Sequence, residues 1–156
     1  MTGRAEIDSL RKRLNSTFAR LKTVSDDPEV LSDLARHLCV LVAGFLERAI
    51  VEVLVEHTRT RSDASVLRHV ERELQRTTNL NSQRLLDVVG SFDPHWRESL
   101  EQFLVDEYRD AVNSIINLRH TVAHGRFTGV TMARVEGYYT LVDQVVEHVE
   151  NTCLPH

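Results

Sequence analysis

The segment Asn113-Ser114-Ile115-Ile116-Asn117-Leu118-Arg119-His120-Thr121-Val122-Ala123-His124-Gly125 gathers the chain's most chemically capable side chains. At about 100° per residue on a helix, Asn113, Asn117, His120 and His124 fall within about 60° of one another, in a polar stripe about three turns long. Ala111, Ile115, Leu118 and Val122 fall on the opposite side and read as core, and Val112, Ile116 and Ala123 widen that apolar arc. Arg119 falls inside the arc, about 140° from His124. A guanidinium among apolar neighbours is costly unless it is paired or meets a solvated interface. A snorkelling arginine or one half of a core ion pair would account for it in plain structural terms.

Several chemistries can be weighed against these residues. His120 and His124, four apart, have the spacing of two zinc ligands on one helix face. The metalloprotease helix, however, places Glu directly after the first His, and Thr121 stands here. The sequence positions no third ligand, so no metal and no cofactor are expected. Cys39 lies in an apolar run and reads as a small core residue with nothing to activate its thiol. There is no glycine-rich phosphate loop, and Ala43-Gly44 reads as a close helix–helix crossing. The remaining histidines, 37, 57, 69, 95, 148 and 156, are scattered.

The elements that must position this segment are helical. Ile7, Leu10, Leu14, Phe18 and Leu21 predict an amphipathic helix over about 4–24. Asp27-Pro28-Glu29 supplies a cap, a first-position proline and an acidic first turn for a second helix reaching about His57. Its middle, Leu38 to Leu46, is apolar nearly all round, which predicts the central helix of a bundle. Shorter helices are expected at about 63–77 and 82–91, and Asp93-Pro94 restarts the chain as Asp27-Pro28 does. The functional segment closes a helix from about Asp106 to His124, stopped by Gly125. Phe127 to Val130 reads as a loop or a short extended piece, and Thr131 caps a last helix carrying Val135, Tyr138, Val142, Val145, Val146 and Val149. The fold expected is all-α, an antiparallel bundle of five to seven helices in one domain over 1–156.

Composition bounds the rest. At 156 residues with 42% hydrophobic and 27% charged residues, the chain can build a core without disulfides or structural metal. The longest apolar run ends at Glu47-Arg48, well short of a membrane span, and the charged amino terminus lacks a secretory core, so a cytoplasmic protein is expected. With 19 basic and 23 acidic residues, net −4, the chain lacks the basic excess usual for sequence-independent phosphate binding. The charge is bipolar, however: residues 1–24 carry +4 and 59–84 carry +3, against −5 over 25–57 and −4 over 92–112.

Arg119, four residues and His124, with polar His120 directly after the arginine, resembles the motif of the HEPN superfamily of small helical-bundle proteins. The likeness is closest to the RiboL-PSP-HEPN branch. Leu38 through Glu47 is similar to that branch's central-helix signature. Phe92-Asp93-Pro94, Arg119-His120 through His124-Gly125-Arg126, and Gly129-Val130-Thr131 leading to Tyr138-Tyr139 follow in order, together covering roughly residues 30 to 150. Arg126 stands where some family toxins carry a modifiable tyrosine. The resemblance implies a metal-independent endoribonuclease acting as a homodimer on RNA, in a toxin–antitoxin, defence or RNA-processing setting, with a cognate antitoxin as a further partner. It also admits a non-catalytic dimerisation or RNA-binding module.

On that resemblance His124 takes the ribose 2′-OH proton, Arg119 holds the phosphate, and His120 protonates the leaving oxygen or positions the phosphate. Asn117, Asn113, Glu47 and Arg126 stand in support. The 140° divergence of Arg119 and His124 is relieved if the face between them, carrying Ile116, Ala123 and His120, meets a two-fold mate. The arginine of one copy then approaches the histidine of the other.

Overall fold

The Asp27 carboxylate accepts the Glu29 N–H at 2.9 Å with Pro28 between them, and there the longest helix starts. A computed structural model describes residues 2–126 and 129–155. Among these it contains seven helices and no strand: α1 Gly3–Leu21, α2 Pro28–Arg59, α3 Ala64–Leu74, α4 Ser82–Gly90, α5 Pro94–Phe103, α6 Asp106–Ala123 and α7 Met132–Cys153. Asp93 caps α5 through the His95 N–H at 2.8 Å, and Thr131 caps α7 through the Arg134 N–H at 3.2 Å. Asp63 and Asn81 serve α3 and α4 in the same way. The all-α expectation holds. The ends of α1 and α3 fall about three residues before the predicted ones; Lys22, Thr23 and Val24 after α1, and Gln75 and Arg76 after α3, are exposed and pack against no core. The expected loop or extended piece over Phe127–Val130 lies partly outside the described residues; Gly129 and Val130 are in neither helix nor strand.

α2 is central, touching α1, α3, α6 and α7. Ala35, Leu38, Cys39, Val42, Ala43, Leu46, Ala49, Ile50, Val53 and Leu54 are wholly buried, the three-and-four stripe of a helix covered on one broad face. Each buried Leu, Ile or Val there is worth roughly 1.5–3 kcal/mol of transfer free energy. α6 supplies Ala111, Val112 and Ile115 to the same core, and α7 supplies Val135, Val142, Val145, Val146 and Val149.

α1 is bound to this core by more than its apolar stripe. Phe18 stacks on Tyr139 with ring centroids 5.3 Å apart. Arg11 donates from Nε to Asp143 at 2.6 Å and from Nη2 to the buried Glu150, while Arg4 reaches the Leu154 carbonyl at 2.9 Å. The expected close crossing at Ala43-Gly44 is not found. Ala43 is buried, but a Cβ on Gly44 would meet nothing within 4 Å. The close approach is at Gly3, whose added Cβ would lie 2.6 Å from the Glu56 Cβ. Cys39 and Cys153 are free and buried, and burial pushes their thiols up to about 11 and about 12. No helix among the described residues is long and apolar enough to cross a membrane.

Candidate functional site

α6 ends in a turn that exposes its histidines. Gly125 has φ +68° and donates its N–H to the Val122 carbonyl at 3.0 Å, while Arg126 N–H reaches back to Thr121 at 3.0 Å. This 6→1 and 5→2 pair is the Schellman closure, and it needs a left-handed residue at the glycine position. His124 is the half-helical residue just before it, and both His120 and His124 are exposed. The His124 Nδ1 lies 2.8 Å from the His120 carbonyl oxygen. A carbonyl can only accept, so Nδ1 carries the proton and the lone pair of the neutral ring is on Nε2. The two imidazole centroids are 4.2 Å apart.

Arg119 leaves α6 toward α2 and is not alone. Its Nη1 and Nη2 donate to the two Glu47 carboxylate oxygens at 2.5 and 2.9 Å, with side chains only 17% and 14% exposed. Nη2 also donates to Asn79 Oδ1 at 2.9 Å, and the Asn79 backbone N–H is bonded to the same Glu47 carboxylate. Asn79, at φ +57°, is in the left-handed region that Asn tolerates better than most residues. Arg119, Glu47 and Asn79 thus form a clasp joining α6, α2 and the 75–81 loop. Hydrogen bonding to Glu47 holds the guanidinium pKa above its ordinary value. Three of the five N–H donors of an arginine are taken. Nε and the second Nη1 hydrogen have no partner among the described residues.

The family model for RiboL-PSP-HEPN domains matches residues 5–154. The chain belongs to that family. The match takes in α1, beyond the motifs that carried the resemblance. No curated protein and no solved structure matches the chain.

Within this HEPN domain the seven residues singled out from the sequence divide into separate groups. Arg119 and Glu47 form the clasp. His120 and His124 form the exposed pair, and the Arg126 backbone closes the turn beneath them. Asn113 lies apart: its Oδ1 accepts the Ser82 N–H at 2.8 Å, fastening the start of α4 to α6. Asn117 is exposed, and its backbone carbonyl accepts the Thr121 hydroxyl at 2.9 Å. Among the described residues no hydrogen bond joins Arg119 to His124.

Two expectations change in consequence. Arg119 is satisfied inside one chain as half of an ion pair, so its place in an apolar arc does not by itself require a second copy. Ile116, expected on the mating face, is 5% exposed and belongs to the chain's own core. Sequence reasoning missed Asn79. Its only signal was an asparagine in the Thr-Thr-Asn-Leu-Asn loop, where a left-handed residue is common.

Proposed function

We propose that this HEPN domain, over the whole chain, is a metal-independent endoribonuclease that acts as a homodimer in the cytoplasm. The observation that carries the reading is the His124 ring: exposed, with Nδ1–H committed to the His120 carbonyl and Nε2 left as the base. In the proposed reaction Nε2 removes the 2′-OH proton of the substrate ribose. The 2′-oxygen then bonds to the adjacent phosphorus while the phosphorus–O5′ bond breaks. The products are a 2′,3′-cyclic phosphate and a 5′-hydroxyl, the leaving oxygen gaining its proton from His120 or water. Arg119 faces the extra negative charge of the pentacoordinate state through its two uncommitted N–H groups, its plane fixed by Glu47 and Asn79. Because Arg119 and His124 diverge on α6, each site takes its arginine from one copy and its histidine from the other. The setting is toxin–antitoxin, defence or RNA processing, with a cognate antitoxin protein as partner in the first.

A second reading, a non-catalytic dimerisation or RNA-binding module, is favoured by one feature. The clasp already occupies most of the arginine's donors, as a structural ion pair would.

Digestion of RNA in EDTA, beside the same sequence with 2′-deoxyribose, separates the two. Cleavage of RNA alone, leaving cyclic phosphate ends, is expected, with a loss of roughly 10²-fold or more in His124→Ala and a comparable loss in Arg119→Ala. Mixing the two dead variants should restore roughly a quarter of the activity, since half the dimers are mixed and each has one intact site. A requirement for added metal, or cutting of the deoxy strand, rejects the mechanism. No cleavage of any RNA gives the binding-module reading, and no restoration on mixing rejects the shared site.

A further inference from the structure

α6 and the start of α7 enclose a cleft of about 410 Å³, walled by Ser114, Asn117 and Thr121 on one side and Val130, Arg134 and Tyr138 on the other. That volume lies in the range of small-molecule sites, ~300–1,000 Å³. Among the described residues, Arg134 is the only charged side chain in the lining. Its Nε donates to the Tyr138 hydroxyl at 2.8 Å and its guanidinium carbon is 5.7 Å from the ring centroid, so the tyrosine orients the cation. The Arg134 Nη groups, the Ser114 hydroxyl and the Asn117 amide have no partner among the described residues. The larger cleft between α2 and α3, about 630 Å³, differs in carrying Glu47, Glu52 and Glu71 beside its arginines, a lining that repels phosphate.

The placement of the cleft matters as much as its lining. Asn117 belongs both to its wall and to the polar stripe that ends in His124. Thr121 precedes His124 by three residues, about 4.5 Å along the axis. Asn117, Thr121 and Ser114 lie about 20–80° round the helix from His124, on the side away from Arg119. A strand whose phosphate is held at His124 is led along α6 into this cleft, on the side away from the same copy's Arg119.

We infer that the α6–α7 cleft is a nucleotide-binding subsite for single-stranded RNA, taking the nucleotide next to the cleaved phosphodiester. The Tyr138 ring forms the wall for the base, Arg134 meets the phosphate, and Asn117 and Ser114 offer donors and acceptors to the base edge. This rests on the ribonuclease reading for its register along the strand.

The test is fluorescence anisotropy with a short single-stranded oligonucleotide of 2′-fluoro ribose, which lacks the nucleophile and stays intact. Arg134 is exposed, so Arg134→Ala probes the cleft without threatening the core. Arg134→Ala and Tyr138→Ala should each weaken binding roughly tenfold, the scale of one lost stacked base or phosphate contact. Tyr138→Phe keeps the ring and should lose less than about threefold. Arg68→Ala, an equal loss of charge on exposed α3, is the control and should change binding less than about twofold. No binding by the unaltered protein, or an Arg134→Ala loss no larger than that of Arg68→Ala, overturns the subsite. Equal losses in Tyr138→Phe and Tyr138→Ala overturn the stacked base. If the variants weaken binding but the unaltered protein cuts no RNA, the ribonuclease reading fails and the nucleotide cleft stands.

Discussion

Glu47 is the residue on which the clasp depends. Removing it leaves Arg119 with most of its surface covered and no counter-charge, the situation in which breaking an ion pair is most costly. Glu47→Ala should therefore destabilise the protein by roughly 2–4 kcal/mol in urea unfolding. Glu47→Gln keeps one acceptor oxygen and should lose roughly 1–2 kcal/mol. Replacing both partners, Glu47→Met with Arg119→Met, should return most of the stability without returning cleavage, because no cation is then buried unpaired. A double variant no more stable than Glu47→Ala would show that the clasp acts through packing and not through charge. The sequence displayed half of this arrangement. Arg119 was visible as a cation in an apolar arc, and an ion pair was among the accounts it allowed. Its partner, 72 residues away, was reachable only through the resemblance, and nothing beyond its place in a loop pointed to Asn79. A bond from a loop backbone N–H to a distant carboxylate leaves no periodic trace in a sequence.

At the scale of the element, the end of α6 sets the direction of the histidine pair. A Cβ on Gly125 would meet nothing within 4 Å, so Gly125→Ala meets no clash and its cost is conformational. Holding an L-residue at φ +68° costs roughly 1–2 kcal/mol, and a melting experiment should show a drop of that order. Gly125→Asn should lose less, since Asn visits this region more readily. RNA cleavage should fall further than stability in the alanine variant. Relaxing the turn removes the Gly125 and Arg126 bonds that hold the last α6 carbonyls and lets the His124 backbone leave its cap position. Equal loss of activity and stability would mean the turn has no share in aiming the ring. The helices and their starts were legible because Asp27-Pro28, Asp93-Pro94 and Thr131 write caps locally. The close crossing is at Gly3 and not at the expected Ala43-Gly44, because a small residue permits close approach without saying what approaches. The α6–α7 cleft went unseen because its two walls come from elements whose angle only packing decides.

At the scale of the whole molecule, two histidines away from the site tie its stability to pH. His57, at the end of α2, packs edge-on to Trp96 of α5 at 4.6 Å, and its Nδ1 is buried without a partner among the described residues. Burial, then the Arg61 charge, lowers its pKa, against an opposing pull from the Cys153 backbone and Asp93. His148 on α7 stacks on Phe103 at 4.4 Å beside the Ser99 hydroxyl, and burial lowers its pKa against an opposing pull from the Ser99 backbone. Above the ordinary histidine value, about 6.5, both rings are neutral in the folded and unfolded chains and contribute no pH dependence. Below it the unfolded chain takes up protons first, so stability falls with pH until the folded rings also titrate. Glu150 acts in the opposite sense at lower pH, because burial raises its pKa and the folded state binds its proton first. The urea midpoint should therefore drop between about pH 7 and pH 5.5. The drop should be reduced in His57→Gln and in His148→Gln, and most reduced in the double variant. Both rings bear on α5, which α7 contacts and α2 meets through Trp96, so acid should loosen the packing of α5 before the Arg119 clasp between α2 and α6. A slope unchanged in the double variant would place the acid sensitivity in the carboxylates.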